Sequence, residues 1–166
     1  EQGLSRQLLS KYCQSGWIEN ISKGAYKKAG ETVDWTGVLY TLQNQLGLDI
    51  HVGGYTALEV HGFRHHLIAA QPDIYLISSK QILLPRWVLK GDWQAKIHYR
   101  CSTFLDLEVG FINQEFRGNY SIKLSGIERA SLEVMDEIVD ASSFEDAAQI
   151  LGSLHGFNVD LLIRLL

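Results

Sequence analysis

The apolar positions at the start of the chain follow two different periods in succession. Residues 4–15 place apolar side chains at helical spacing, on a stripe formed by Leu4, Leu8, Leu9, Tyr12 and Cys13. Gly16 follows, as a glycine commonly does just past a helix end. Residues 17–28, WIENISKGAYKK, are typical of a short β-hairpin with its turn at SKG. The pattern predicts a helix that leads directly into a hairpin.

The rest of this helix and hairpin is polar and basic. The polar side chains of the helix are Ser5, Arg6, Gln7, Ser10 and Lys11, and those near the hairpin turn and exit are Lys23, Lys27 and Lys28. A polar, basic helix followed by a basic hairpin is the order of the recognition helix and wing in a winged-helix DNA-binding domain. On spacing alone, a surface helix followed by a hairpin is the commoner alternative, so both interpretations stay open.

A candidate linker separates this region from the rest of the chain. Asp34 can cap a helix whose apolar residues continue to Leu46, and Gly47 ends it. Residues 29–34 are therefore the best candidate linker. We expect one domain over 1–30 and a second over 31–166.

The second domain mixes strand and helix patterns. The candidate strands are the buried run DIYLIS (73–78), the alternating segment AKIHYRC (95–101), FLDLEV (104–109) and YSIKL (120–124). Pairs with capping-box spacing predict three helix starts, at Thr56 with Glu59, Ser125 with Glu128, and Ser142 with Glu145. These elements predict an α+β fold in which a partial winged helix precedes helices on a mostly antiparallel sheet.

Composition and charge narrow the class of protein. Hydrophobic residues make up 46% and charged residues 20% of the 166 residues, no run is long enough to span a membrane, and the two cysteines are far apart. We therefore expect a cytoplasmic protein without a membrane partner. The net charge of −4 divides into +3 over residues 1–30 and −7 over residues 31–166, which favours a nucleic-acid contact at the basic end. The chain starts at Glu1 and stops within LLIRLL, so we expect a fragment.

Four of the six histidines lie in HVGGYTALEVHGFRHHL, residues 51–67, and raise the question of a metal site. His61 and His65 are four residues apart, but Gly62 interrupts the helix that would place them on one face. A tetrahedral zinc site needs at least three protein ligands, and the other candidates have no recognisable spacing. We predict no metal and no cofactor, and we assign these histidines to packing and hydrogen bonding.

Two further patterns in the chain contain residues that could take part in catalysis or binding. Asp73 precedes a strand as in metal-dependent nucleases, but no second carboxylate and lysine follow in the required arrangement, so a nuclease-like enzyme remains only an alternative. No catalytic set is recognisable, and we predict that the protein is not an enzyme. Lys96, His98 and Arg100 share one strand face and form a candidate surface for a partner or a nucleic acid, although a solvated sheet face is commoner.

The order of several short motifs resembles the AbiEi family, the antitoxins of type IV toxin–antitoxin and abortive-infection systems. The resemblance is strongest over residues 4–66 and recognisable again over 125–135. Its motifs are Tyr12 with Ser15-Gly16-Trp17, Gly24-Ala25-Tyr26, Val33-Asp34-Trp35, Leu42-Gln43, His51-Val52-Gly53-Gly54 with Thr56-Ala57-Leu58, Leu84-Pro85-Arg86-Trp87, and Ser125 with Glu128-Arg129-Ala130. One departure is Gly126-Ile127, where the family tends to have a Ser-Pro pair.

The resemblance implies a winged helix that binds operator DNA and represses the toxin–antitoxin operon, and a C-terminal domain required for antitoxicity. The functional partner would be a nucleotidyltransferase-like toxin, countered with or without a stable complex. Residues 4–15 would then be the recognition helix and the lysine-bearing hairpin the wing. The family usually has two helices before this point, and without them Leu4, Leu8 and Leu9 would be uncovered. A protein-interaction module without DNA binding stays open as a further alternative.

Overall fold

A computed structural model describes residues 5–63, 71–105, 109–116 and 120–166. Within these residues helices and strands alternate irregularly along the chain. The helices are α1 (Arg6–Gln14), α2 (Trp35–Tyr40), α3 (Gly54–Val60), α4 (Arg86–Lys90), α5 (Ile127–Met135), α6 (Ala141–Leu151) and α7 (Val159–Leu165), and a π-helical segment (Thr41–Gln45) prolongs α2. The strands are β1 (Ile18–Ser22), β2 (Ala25–Lys28), β3 (His51–Val52), β4 (Asp73–Ser78), β5 (Lys96–Cys101), β6 (Phe111–Phe116) and β7 (Tyr120–Ser125). The predicted α+β class is confirmed.

The N-terminal helix and hairpin form as their sequence pattern predicts. The Ser5 side chain accepts a hydrogen bond from the Leu8 amide and begins α1, and Gly16 follows the helix with a φ of +72°. Strands β1 and β2 pair antiparallel, with Ile18 opposite Lys28. Leu8 and Leu9 are half-buried, and Leu4 lies outside the described residues.

The second sheet is mixed, so the prediction of a mostly antiparallel sheet is wrong. Its five strands lie in the order β5-β4-β3-β7-β6. The β4–β5 and β3–β7 pairs are parallel, whereas the β3–β4 and β6–β7 pairs are antiparallel. The two-residue strand β3 therefore joins two pairs of strands, and local sequence periodicity contains no information about such long-range pairing.

Helices pack on both faces of this sheet. Tyr120 hydrogen-bonds to Thr36 and contacts the Tyr40 ring, both in α2, whereas Ser125 hydrogen-bonds to Glu133 in α5. Residues 120 and 125 are an odd number of positions apart on one strand, and successive side chains of a strand alternate between the two faces, so these two point to opposite faces. Helix α2 therefore lies on one face and α5 on the other.

The main core is built from aliphatic side chains of both layers. Buried members of this cluster include Leu39, Leu42, Ile50, Val52, Leu58, Leu76, Ile122, Leu124 and Val134. A smaller cluster joins Leu105, Leu132 and Leu165, so that α5 is covered by α7. Burial of this apolar area is the main favourable contribution to folding.

Three predicted helix caps are corrected by the structure. Thr56 contacts β4 instead, since its hydroxyl bonds to the Asp73 carbonyl and the Tyr75 amide. Ser125 donates to Glu133, and Gly126 takes the cap position of α5. Helix α6 does have a capping box, but its members are Asp140 and Ser143 rather than Ser142 and Glu145.

The sequence patterns did not predict the elements that are short or that depend on distant residues. Strand β3, helix α4 and strand β6 have no predicted counterpart, whereas the strands at 73–78, 96–101 and 120–125 confirm their predictions. The predicted strand FLDLEV is not formed by its described residues, because 104, 105 and 109 lie outside any strand. Residues 106–108 lie outside the described residues.

Candidate nucleic-acid interface and the Glu133 network

The polar side chains of α1 share one exposed surface. All five predicted contact residues are exposed, namely Ser5, Arg6, Gln7, Ser10 and Lys11. Within the described part of the chain, no carboxylate lies at ion-pair distance from Arg6 or Lys11. Exposed arginine and lysine side chains are the groups that most often contact nucleic-acid phosphates.

The three hairpin lysines differ in the ion pairs and hydrogen bonds that they form within the chain. Lys27 Nζ lies 2.9 Å from Glu19 Oε2 and donates to the Glu31 carbonyl, and Lys28 forms a longer pair of 3.3 Å with Glu31. The hydrogen bonds from Lys27 and from the Gly30 amide lower the pKa of the Glu19 carboxyl. Lys23 is exposed at the turn and, among the residues described, has no acidic partner.

The hairpin is anchored to the rest of the chain, which sequence reasoning did not foresee. Ala25 is buried, and Ile21 packs against the main core. A cavity of about 270 Å³ between the hairpin and the body is lined by Tyr26, Trp87 and Trp93, among others. The position of the hairpin is therefore set by contacts with residues outside the predicted first domain.

The predicted stripe of Lys96, His98 and Arg100 is mostly engaged within the chain. His98 Nε2 donates to Asp73 Oδ1 at 2.6 Å, and Arg100 Nη1 donates to Asp136 Oδ2 at 2.6 Å. Lys96 is exposed at the start of β5. His98 and Arg100 also line a cleft of about 430 Å³. The assignment of this stripe to a partner remains a prediction.

A buried polar network surrounds Glu133 in α5. Its Oε1 accepts from His51 Nε2 and Arg129 Nε, both at 2.9 Å. Its Oε2 accepts from the Gly54 amide at 3.0 Å and from Ser125 Oγ at 2.8 Å. The His51-Val52-Gly53-Gly54 and Ser125 to Ala130 motifs thus converge on one carboxylate.

The donors around Glu133 determine its charge state. Burial alone would raise the pKa of this carboxyl, but the hydrogen bond and charge of His51, together with the Gly54 and Ser125 donors, outweigh burial and lower it. A Cβ added at Gly53 would clash with Glu133 Oε2 and the Ile77 side chain. Gly53 is therefore required for close approach rather than for an unusual backbone angle.

Two of the four histidines in the 51–67 segment lie among the described residues, and each forms a hydrogen bond within the chain. His51 belongs to the Glu133 network, and His61 Nε2 donates to the Ser125 carbonyl at 3.0 Å. The remaining two, His65 and His66, lie outside the described residues. Across the described ranges, no group of three or more His, Cys, Asp or Glu side chains could hold a metal ion. Across the same ranges, no helix is both long and apolar enough to cross a membrane.

Comparison with known families identifies the class. Residues 1–69 match a family described as a transcriptional regulator, AbiEi antitoxin N-terminal domain. Residues 71–166 match one described as a transcriptional regulator, AbiEi antitoxin, type IV TA system. A search of curated proteins gave no match.

These matches define a transcriptional regulator and antitoxin, not an enzyme. The chain belongs to the AbiEi antitoxin family of type IV toxin–antitoxin systems, as the order of its motifs predicted. The two matches adjoin near residue 70, whereas the linker was predicted at 29–34. A domain boundary at 30/31 stays a prediction.

Proposed function

We propose that the chain represses transcription by binding operator DNA through α1 and the β1–β2 hairpin. The observation that carries this proposal is the exposed polar face of α1, where Arg6 and Lys11 have no acidic partner within the described residues. The adjoining hairpin adds the exposed Lys23. Together these elements offer cations to the DNA backbone and side chains long enough to reach base edges.

The side chains divide into two roles. Arg6 and Gln7 can form paired hydrogen bonds with base edges in the major groove. Ser5, Ser10 and Lys11 on the helix, and Lys23, Lys27 and Lys28 on the hairpin, contact phosphate and set the register of the helix on the duplex. Lys27 and Lys28 already form ion pairs with Glu19 and Glu31, so a DNA phosphate would compete with these carboxylates.

The DNA-binding half is tested by fluorescence anisotropy on the promoter that precedes the chain's own reading frame. Arg6→Ala combined with Lys11→Ala should weaken the specific complex about tenfold or more, because loss of the Arg6 base contact costs about 1–3 kcal/mol and loss of the Lys11 phosphate contact adds to it. Lys90→Ala is the matched control, since Lys90 is an exposed lysine at the end of α4 and lies outside the proposed surface. Equal binding by the double variant and the control would reject this surface.

We further propose that residues 31–166 counter a nucleotidyltransferase-like toxin encoded beside this gene. The family match and the resemblance of the motifs around Glu133 support this role. The test is a growth assay in which the neighbouring reading frame is induced alone and together with the chain. We expect growth arrest alone and recovery on co-expression. A harmless neighbour, or an arrest that persists, would contradict the antitoxic role.

A further inference from the structure

A narrow contact beneath the β1–β2 hairpin separates two cavities. One is the cavity of about 270 Å³ between the hairpin and the body, and the other has a volume of about 300 Å³. Ile21, Lys27, Val33 and Trp93 line both cavities, so their side chains form the wall between them. The apolar members of this wall join the hairpin to the body where the cavities leave it without close packing on either side.

A break in the strand pairing directs the Ile21 side chain into this wall. Asn20 pairs with Tyr26 and Ser22 with Ala25, so Ile21 is an extra residue on β1 with no opposite residue on β2. A β-bulge of this kind changes the direction of a side chain relative to the regular alternation of a strand. Ile21 is half-buried and packs against the main core. The bulge therefore turns an apolar side chain of the hairpin toward the body.

Trp93 gives the body a fixed surface at this contact. Only 3% of Trp93 is exposed, and its indole N–H donates to the Val88 carbonyl at 2.8 Å. The Trp93 carbonyl accepts from the Trp35 amide at 3.1 Å. A Cβ added at Gly91 would clash with the indole ring. The ring is thus held in place by its own segment of the chain, independently of the hairpin.

The segment that follows the hairpin is fixed at the same contact. Val33 packs against the main core, and the Asp34 side chain accepts hydrogen bonds from two amides in the first turn of α2. The Trp35 amide donates to Trp93, as described above. The Val33-Asp34-Trp35 motif, which has no role in the proposed DNA contact, therefore ties the exit of the hairpin to α2 and to Trp93.

We propose that Ile21, Val33 and Trp93 are positioning residues for DNA binding, because their contact fixes the direction of the hairpin and so places Lys23 against the DNA backbone. The inference rests on the proposed operator binding and identifies the residues on which the hairpin's part in it depends. A hairpin that is fixed in advance loses less conformational freedom on binding. Without the contact, Lys23 would occupy many positions and lose its fixed phosphate partner.

The test compares Ile21→Ala with Lys23→Ala in anisotropy titrations of the promoter DNA at several salt concentrations. Ile21→Ala should reduce the slope of the logarithm of the binding constant against the logarithm of salt concentration by about one, as Lys23→Ala does, although every cation is retained. The double variant should bind as Lys23→Ala alone does, because both changes remove the same contact. Ile21→Val should keep wild-type binding, since most of the side chain remains.

Two further variants separate positioning from a general loss of stability. Val33→Ala should reproduce the effect of Ile21→Ala and serves as the second variant if Ile21→Ala does not fold. Ile138→Ala is the matched control, since Ile138 is also a half-buried isoleucine packed against the main core but lines neither cavity. The control should leave the salt slope unchanged.

NMR relaxation without DNA measures the motion of the hairpin directly. The order parameter of the Gly24 amide should fall in Ile21→Ala toward about 0.6, the range of a flexible backbone, and keep its wild-type value in Ile138→Ala. Wild-type slopes and order parameters in both hairpin variants, or losses that simply add in the double variant, would overturn the positioning role and leave operator binding intact. Absence of DNA binding by the wild type would reject both proposals.

Discussion

Glu133 in α5 and His51 in β3 form a 2.9 Å hydrogen bond, with only 4% and 5% of their side chains exposed. Because β3 is the central strand and α5 a nearly buried helix, this bond joins the sheet to its helical layer. Arg129, in the same helix as Glu133, adds a second donor to this carboxylate, and its guanidinium carries a positive charge. The surrounding structure thus depends on a buried, fully hydrogen-bonded carboxylate.

Glu133→Gln should strongly reduce the stability of the protein. The amide removes the negative charge that faces the Arg129 guanidinium, and removing one charge of a buried ion pair typically costs about 3–5 kcal/mol. Urea unfolding followed by circular dichroism measures the loss. Glu115→Gln on the exposed part of β6 is the control and should change the free energy of unfolding by less than about 0.5 kcal/mol. An unchanged midpoint for Glu133→Gln would contradict a stabilising role.

The contribution of Glu133 to stability should depend on pH with a defined sign. Its pKa is lowered in the folded state from an ordinary value of 4.5. A carboxyl of this kind contributes stability that is complete above the ordinary value and is lost as the pH falls through the lowered one. The difference in unfolding free energy between wild type and Glu133→Gln should therefore shrink below about pH 4.5. A difference that grows on acidification would refute this assignment.

Glu137, one helical turn further on, should show the opposite dependence. Burial raises its pKa, and the neighbouring charges of Glu133 and Asp136 raise it further, although Arg100 opposes them. A raised carboxyl pKa favours the folded state at low pH and loses this contribution as the pH rises through the folded value. The stability of wild type relative to Glu137→Gln should therefore fall as the pH rises above the ordinary carboxyl value of 4.5. Chemical unfolding at each pH gives the two curves, and parallel curves for the two glutamates would be inconsistent with the structure.

Gly53→Ala should destabilise the protein through a clash. The new methyl group would meet Glu133 Oε2 and the Ile77 side chain, and overpacking of this kind costs about 1–3 kcal/mol. Gly37→Ala in α2 provides the comparison, because its new methyl group meets only a Val33 methyl at 3.1 Å and alanine favours a helix. Thermal unfolding should show a clearly larger loss for Gly53→Ala. Equal losses of thermal stability in the two variants would show that Glu133 and Ile77 do not pack closely against Gly53.

Lys23 and Lys27 should contribute differently to DNA binding. Lys23→Ala should weaken binding to all DNA sequences. It should also reduce the slope of the logarithm of the binding constant against the logarithm of salt concentration by about one. Lys27→Ala should change the salt dependence less, because Lys27 is held by Glu19 and the Glu31 carbonyl. Anisotropy titrations at several salt concentrations measure both slopes. A larger effect of Lys27→Ala would reverse the proposed order.

Elements with strong local signals could be predicted from the sequence. The helix after Ser5, the hairpin around Lys23-Gly24, and the helix capped by Asp34 depend on nearby residues, and all three form. The exposed polar face of α1 could be predicted for the same reason, because one helical period places its polar residues together.

Features that depend on distant residues could not be predicted. The Thr56 and Ser125 side chains have the spacing of helix caps, but β4 and Glu133 provide stronger partners after folding. Strand β3 has only two residues, too few for any period, and its pairing with β7 spans much of the chain. The ion pairs of Arg100 could not be predicted either, because its acidic partners Asp136 and Glu137 follow the distant helix α5.

The short central strand has a consequence for how the sheet forms. Strands β6 and β7 are sequence neighbours, as are β4 and β5, so each pair can assemble from a local stretch of chain. The two halves become continuous only when His51 and Val52 insert between them, and such nonlocal closure carries a larger loop-entropy cost. Joining the two halves is therefore expected to be the slow step in folding, and exchange of the Val52 amide should report on complete assembly of the sheet.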